Sequence, residues 1–451
     1  MNQELLRWKN KQPPGSPKEA SSKVLTRHAR DPACGEDALL LRGDNLEILS
    51  HLLATGHQNT VDVVYLDPPF GSNARYAREI RLRGEPERRL GKQEQYTDLL
   101  PRDDYLQFMY ERLLLLYDLL APNGSMLLHA DEHSGHLLRC LLDEIFGADA
   151  FVNEIIWHYP DNFQGNVRGL AHNHNAIHWY AKGPKYTSNN VRVPLPKPVK
   201  RDRRVWSKEE RRVVAARDEH GKILYDTYTD RKADDVWSIG QSAVTKRRSG
   251  EYLGYPTQKP IVLLERLLLA TSNPGDLVLD PFAGSGTTAA AAQRLGRRWI
   301  SCDRNPISIQ TTAIRLRAEL ESDSSPEAAA QHAFAVVAIG DQADTASPPG
   351  DVQVETRKEG DTLEMQVVAF SNPSLQALLE GEMPEDWRRL VECIQVDPAF
   401  DGEVFRPTIC DRPARTRDLV SGSYRVDANT TQVALRLTDV AGNEVTWMLN
   451  A

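Results

Sequence analysis

The sequence predicts an α/β fold: a doubly wound, mostly parallel sheet carrying an inserted polar region and a small C-terminal β-rich domain. Three observations predict it. Short apolar runs bounded by turn residues alternate with longer stretches of helical periodicity. Two loop signatures, Asp67-Pro68-Pro69-Phe70 and Asp280-Pro281-Phe282-Ala283-Gly284-Ser285-Gly286-Thr287-Thr288, each follow such a run directly. Sites in open parallel sheets form at the carboxyl ends of strands, which is where both signatures fall.

The elements follow in order. Residues 1–30 mix Lys and Arg with Pro, Ser and Gly and read as a flexible basic arm or a solvated tail. Leu39–Leu41 is a short strand, followed by Gly43-Asp44 and a helix from about Asn45. Val61–Leu66 is β-branched, short and stopped by Pro-Pro, the pattern of a buried strand. Arg102–Leu120 is a helix with Asp103 and Asp104 in its first turn and Pro122-Asn123-Gly124 as its stop. Met126–Leu128 is a strand, Ser134–Phe146 a helix closed by Gly147, and Val152–Tyr159 and Ala176–Ala181 two further strands. These belong to one half of a domain, residues 31–159, and to the start of an insertion, residues 160–255. Within the insertion, residues 185–248 hold 17 Lys and Arg against 9 Asp and Glu, in a chain of net charge −8. The second half, residues 256–320, resumes the α/β pattern. It holds a helix at Ile261–Ala270, a strand at Leu277–Leu279, a helix at Thr287–Arg294, a strand at Trp299–Ser301 and a helix from about Ile307 to Leu320. Residues 321–350, rich in Ser, Asp, Ala and Pro, read as a linker. Residues 351–451 alternate apolar and polar positions, as at Leu363/Met365/Val367 and Val433/Leu435/Leu437, and read as a small antiparallel β domain of unknown role.

Bulk composition narrows the class. Hydrophobic content of 40% with 26% charged residues is that of a soluble globular chain. No run approaches the ~20 apolar residues of a membrane span, and the N-terminus lacks an apolar signal core, so the expected location is cytoplasmic. Cys34, Cys140, Cys302, Cys393 and Cys410 are scattered, with no paired spacing for zinc or a redox motif, and read as reduced, mostly buried thiols. The His172/His174/His178 cluster lacks carboxylate or Cys spacing, so no metal is expected. The negative total argues against a wholly basic nucleic-acid coat but leaves room for a local basic surface, and the insertion supplies one. Trp206 lies in its most basic run and is a candidate phosphate-side contact, or simply part of a solvated loop.

The signatures carry the chemistry. Gly284-Ser-Gly286-Thr-Thr-Ala289 fits the nucleotide-binding glycine fingerprint, and Asp303 follows 19 residues after Gly284 at the end of the next strand. Glycines let a backbone approach a ligand closely, and the acid takes ribose hydroxyls. An NAD(P)-dependent oxidoreductase satisfies that loop equally well. Thr257-Gln258-Lys259-Pro260 tips the balance, because a lysine there suits an amino-acid carboxylate. S-adenosylmethionine carries both a ribose and a carboxylate. In Asp67-Pro68-Pro69-Phe70, a carboxylate and a carbonyl held stiff by two prolines can accept both N–H groups of an exocyclic amine and localise its lone pair. Phe70 can stack on a base flipped out of a duplex. The bland alternative is a strand-to-loop turn with an exposed aromatic.

Taken together, Gly43-Asp44, Asp67–Phe70, Thr257–Pro260 and Asp280–Thr288 resemble the amino-DNA methyltransferases, in the beta-class order of motifs. Leu120–Ser125, Asp143–Gly147 and Ile155–Trp157 are similar to methylation subunits of type III restriction–modification systems and their solitary relatives. The resemblance covers roughly residues 38–320. It implies the S-adenosylmethionine-dependent methyltransferase fold and a catalytic set of Asp67, Pro68, Pro69 and Phe70. It further implies a cofactor pocket of Asp44, Thr257, Lys259, Asp280, Pro281, Phe282, Gly284, Ser285, Gly286, Thr287, Thr288 and Asp303. Residues 160–255 become the target recognition region. The implied substrate is double-stranded DNA, with a restriction nuclease subunit or a second copy of the chain as further partners. Asp at position 67 favours adenine N6 over cytosine N4, where Ser is commoner; RNA is a further candidate substrate. Many members carry Tyr where this chain has Phe70, and both rings stack.

Overall fold

The computed structural model describes residues 5–28, 38–70, 75–85, 87–97, 100–161, 169–246, 249–255, 257–322, 333–343, 350–379, 383–413, 415, 417–427 and 432–450. The N-terminal segment contributes β1 (Ser22–His28), followed by β2 (Ala38–Arg42), α1 (Asn45–Ala54) and β3 (Val61–Leu66). A hairpin, β4 (Arg75–Arg81) and β5 (Arg89–Thr97), separates β3 from α2 (Arg102–Leu119). Then come β6 (Leu120–Ala130), α3 (Gly135–Phe146), β7 (Phe151–His158) and β8 (His174–Ala181). The inserted strands are β9 (Arg192–Asp202), β10 (Arg204–Ser207), β11 (Arg212–Ala215), β12 (Tyr225–Lys232) and β13 (Val236–Ser238), with a single turn α4 (Ser242–Thr245). The second half supplies α5 (Ile261–Thr271), β14 (Leu277–Asp280), α6 (Thr287–Arg294), β15 (Arg298–Asp303), α7 (Pro306–Ser322) and β16 (Phe334–Ile339).

One ten-stranded sheet runs β1-β16-β2-β15-β14-β3-β6-β8-β7-β13. The six strands from β16 to β6 are mutually parallel; β1 and β8 join antiparallel. Alternation along β3 feeds two cores: Val64 and Leu66 face α1, α2 and α3, while Val63 and Tyr65 face α5, α6 and α7. This is the expected doubly wound architecture. Asp44 caps α1 by accepting the Leu46 N–H at 2.9 Å. Asp103 and Asp104 occupy the first turn of α2, after Pro101.

Several expected boundaries move. The arm is not free over its length, because β1 pairs with β16 and the Lys11 ammonium meets Glu144 at 2.6 Å. The linker contains β16, six buried residues inserted between β1 and β2. Its apolar run, Ala333–Ile339, was masked by polar flanks. Pro122-Asn123-Gly124 does not end a helix followed by a turn; these residues lie inside β6, where the ladder to β3 steps from Leu120 to Ser125. The inserted region loses both ends to the main sheet, since β8 and β13 belong there. Residues 29–30, 323–332 and 344–349, and Cys34, lie outside the described residues.

The C-terminal domain holds β17 (Asp351–Glu359), β18 (Thr362–Ser371), α8 (Pro373–Leu378), β19 (Val391–Asp397), β20 (Ile409–Asp411), β21 (Ser423–Asp427), β22 (Gln432–Asp439) and β23 (Glu444–Asn450). They form two antiparallel sheets, β17-β18-β21 and β20-β19-β22-β23, around a third core. That core also takes in Ile80 and Leu82 from the β4–β5 segment, 2% and 1% exposed. Burying each is worth roughly 1.5–3 kcal/mol.

Candidate active site

A cleft of about 830 Å³ opens where β3, β14 and β15 end. Every site residue expected from the sequence lines it except Gly286. Parallel strands bring the two signatures together: β3 and β14 are hydrogen-bonded neighbours, with Val63 opposite Val278, although the signatures stand about 210 residues apart.

On the β14 side the chain turns sharply. Gly284 and Gly286 have φ of +51° and +73°, and Gly286 caps α6. A Cβ on Gly286 would meet Thr312 Cγ2 at 2.5 Å, so Gly286 serves loop closure rather than the lining. The Gly284 N–H donates to Asp303 Oδ2 at 3.0 Å and the Asn305 N–H to Oδ1 at 2.8 Å. Asp280 accepts the Phe282 N–H at 2.9 Å. Thr287 Oγ1 receives the Arg315 guanidinium at 2.9 Å, so this hydroxyl also holds the loop. Burial lifts the Asp280 carboxyl to about 7 and Asp303 to about 6, against the hydrogen bonds that pull both down.

On the β3 side Asp67 is half-buried and Pro68 fully buried. One Asp67 oxygen forms an ion pair with the Lys259 ammonium. The other, Oδ1, is buried with no hydrogen-bond partner among the described residues. Lys259 also donates to the Thr257 carbonyl at 3.2 Å, and Thr257 itself sits at φ +62°. The expected partner of Lys259 was a ligand carboxylate; the partner found is a side chain from the other half of the domain. The ammonium also stands 5.8 Å from the Phe70 ring centroid.

Beneath Phe70 lies a polar chain that the sequence reading missed. The His129 ring is 5.9 Å from Phe70 and edge-on to Trp157 at 5.6 Å. Its Nδ1 meets Tyr65 Oη at 2.9 Å. Its Nε2 accepts from Asn175 Nδ2 at 2.9 Å, and Asn175 Oδ1 accepts from Tyr159 Oη at 2.9 Å. Complete burial drops the His129 pKa to about 3, so the ring is neutral and carries its proton on Nδ1. The Leu127-Leu128-His129 ending of a buried strand was the available signal.

Opposite, Arg112 Nε donates to Asn45 Oδ1 at 2.6 Å, and the guanidinium lies 3.5 Å over the Phe108 ring. Burial lowers its pKa to about 10. Asp44, expected against a cofactor, lines the cleft but also caps α1 and meets Arg112 at 3.4 Å. Phe108 stacks obliquely on Phe282 at 6.2 Å, and Tyr255 Oη meets Ser308 Oγ at 2.8 Å. Tyr65, Asn45, Phe108, Arg112, Tyr255, Asn305 and Leu100 are lining residues that the motifs did not name.

Comparison with known proteins places the chain in a family. A family model described as DNA methylase (N6_N4_Mtase) matches residues 61–313. The type II methyltransferase M.EcaI of Enterobacter cloacae is 29% identical over 321 residues, covering 60% of this chain and 68% of that protein. The type II methyltransferase M1.MboII of Moraxella bovis is 30% identical over 208 residues, covering 45% of this chain and 76% of that protein. Among solved structures, the M1.HpyAVI–SAM complex aligns over 62% of this chain and 98% of its own, at 19% identity and a TM-score of 0.40. The relatives named are type II enzymes; the expected likeness to type III subunits gains no support from them.

Proposed function

This chain belongs to the N6/N4 family of DNA methylases, and on that premise we propose that it methylates N6 of adenine at a defined sequence in duplex DNA, with S-adenosylmethionine as donor. The observation that carries the reading is Asp67 Oδ1. It is a buried acceptor without a partner among the described residues, at the rim of the cleft, beside Pro68 and Phe70. A buried carboxylate oxygen left unsatisfied costs free energy unless a ligand donor completes it.

The residues fit the donor. Phe282 and Phe108 offer faces for an adenine ring, Asp303 stands at a strand end for ribose hydroxyls, and the Lys259 ammonium, already paired with Asp67 and the Thr257 carbonyl, has a third N–H to offer an amino-acid carboxylate. Gly284 lines the cleft at φ +51°, a backbone conformation that disfavours any side chain there. When bound, S-adenosylmethionine supplies an electrophilic methyl group on a sulfonium centre. The rest falls to the chain. Asp67 Oδ1 accepts one N–H of the flipped base and the Pro68 carbonyl the other, which turns the nitrogen lone pair out of conjugation. Phe70, backed by the neutral His129 ring, stacks on the base and recovers part of the cost of flipping, roughly 1–3 kcal/mol. The proton leaves the nitrogen after the new bond forms, along the contact to Asp67. Residues 182–235, with their exposed cations, are the proposed DNA reader, and the setting is a restriction–modification system. Asp67 in place of Ser favours adenine over cytosine.

The test is methylation of unmodified genomic DNA, read by nucleoside mass spectrometry and modification-aware sequencing. N6-methyladenine at one short sequence is expected; N4-methylcytosine would overturn the base assignment. Asp67→Ala should retain S-adenosylmethionine binding by calorimetry and lose nearly all turnover. Loss of both to the same degree would remove Asp67 from its catalytic role.

A further inference from the structure

We propose that the C-terminal β domain is a brace for the active cleft, and that Arg83 and Glu392 are its positioning residues. The proposal rests on the reading of Asp67–Phe70 as the catalytic turn. The path of the chain points to it. Phe70 and Leu100 both line the cleft. Between them in sequence lies the β4–β5 hairpin, and the described residues of its tip are built into the C-terminal core. Ile80 and Leu82 are buried among Val352, Val391, Val420 and Leu437.

Polar contacts fix the same tip. Arg83 makes a two-pronged contact with Glu392, at 2.9 Å from Nε and 2.5 Å from Nη2. Its Nη1 donates to the Arg415 carbonyl at 2.9 Å, and its backbone N–H to the Arg389 carbonyl at 2.9 Å. Arg389 in turn ion-pairs with Glu85. Arg83 is 6% exposed, so this is an interior joint rather than a surface pair. A planar guanidinium gripping a carboxylate and a carbonyl fixes both distance and direction.

The same domain also grips the other rim. Pro306 lines the cleft, and the next residue, Ile307, lies so close to Gly442 that a Cβ there would fall 2.6 Å from it. Arg317 of α7 donates to the Pro407 carbonyl at 3.1 Å. The β domain therefore touches the segment that follows Phe70 and the helix that follows Asp303. A catalytic constellation loses rate when its geometry slackens by even an ångström, and the supporting contacts are what prevent this. The Arg83–Glu392 joint thus sets where the target base meets the catalytic turn, while the cofactor side keeps its separate contacts at Ile307 and Arg317 and the backbone hydrogen bonds of Asp303.

The experiment uses the full chain with Arg83→Ala, Arg83→Lys and the milder Arg389→Ala. Four quantities are read: kcat, KM for DNA, S-adenosylmethionine affinity by calorimetry, and fluorescence of 2-aminopurine placed at the methylated adenine. Arg83→Ala is expected to lower kcat at least tenfold and to weaken the 2-aminopurine signal, with cofactor affinity held within about twofold. Arg83→Lys should recover part of kcat, and Arg389→Ala should fall between Arg83→Ala and wild type. Unchanged kcat in Arg83→Ala would overturn the proposal. So would a parallel fall of kcat and cofactor affinity in both Arg83→Ala and Arg389→Ala, which would mark the joint as a general stability determinant. Wild type that leaves DNA unmethylated would instead sink the catalytic reading itself, so the two failures are distinguishable.

Discussion

Asp280 is 2% exposed and ends β14 beside β15, which ends at Asp303, with Asp67 also within electrostatic reach. Burial raises its carboxyl from 3.8 to about 7; the Thr288 hydroxyl and the Phe282 N–H oppose the rise, and the two neighbouring carboxylates add to it. A raised carboxyl pKa means the folded chain holds a proton that the unfolded chain has released. The stability this contributes is complete below about 4 and is lost as pH climbs through about 7. His129 acts in the opposite sense: its pKa of about 3 adds stability as pH rises toward 6.5. Both chains share that second effect, so a difference measurement removes it. Asp280→Asn cannot ionise, and its melting temperature relative to wild type is expected to increase from pH 5 to pH 8. A difference that stays flat across that range would show that Asp280 is already ionised when folded. At this scale the sequence was legible for identity and silent on pairing. Asp67, Lys259, Asp280 and Asp303 could each be picked out by motif. The ion pair of Asp67 with Lys259 could not, because it joins positions 192 residues apart through the sheet.

The glycine loop was the most legible element, since a turn that needs positive φ twice within three residues selects glycine at both. The two glycines are not equivalent. Gly284 faces the cleft, whereas Gly286 faces Thr312 of α7 at a distance that leaves no room for a methyl group. Gly286→Ala therefore combines a left-handed backbone with a steric clash. It is expected to cost about 1–3 kcal/mol of stability and to lower cofactor affinity with it, as read by thermal melting and calorimetry. A Gly286→Ala chain with the wild-type melting temperature would contradict the backbone argument. The hairpin β4–β5 was the least legible element. Its residues Arg75–Arg81 and Arg89–Thr97 are mostly polar and show little alternation, because the tip finds its apolar partners in the C-terminal domain, more than 250 residues downstream. Sequence periodicity reports the face an element buries, not the distant surface it is buried against.

At the scale of the whole molecule, the arm and the linker prove to be parts of one structure. β16 is a six-residue strand with every residue buried, and β1 covers its outer edge. The β domain locks β1 in place: Arg436 Nη1 donates to Thr26 Oγ1 at 2.5 Å, and the Arg27 N–H donates to the Phe405 carbonyl at 2.9 Å. Neither segment was readable alone, because a strand whose partner lies more than 300 residues away looks like a tail and a linker when each is taken locally. The consequence is testable by truncation at two points. A chain lacking residues 1–20 keeps β1 and still seals the sheet, although it gives up contacts such as that of Lys11 with Glu144. A chain lacking residues 1–28 leaves β16 as a bare edge of Phe, Ala, Val and Ile, the kind of strand that pairs with other chains. In size-exclusion chromatography with light scattering, the shorter truncation is expected to elute with the full chain. The longer one is expected to melt lower and to form larger species as its concentration rises. A monodisperse product with unchanged melting after removal of residues 1–28 would mean that the sheet closes on β16 without β1, and that the N-terminal segment is the dispensable arm its composition suggested.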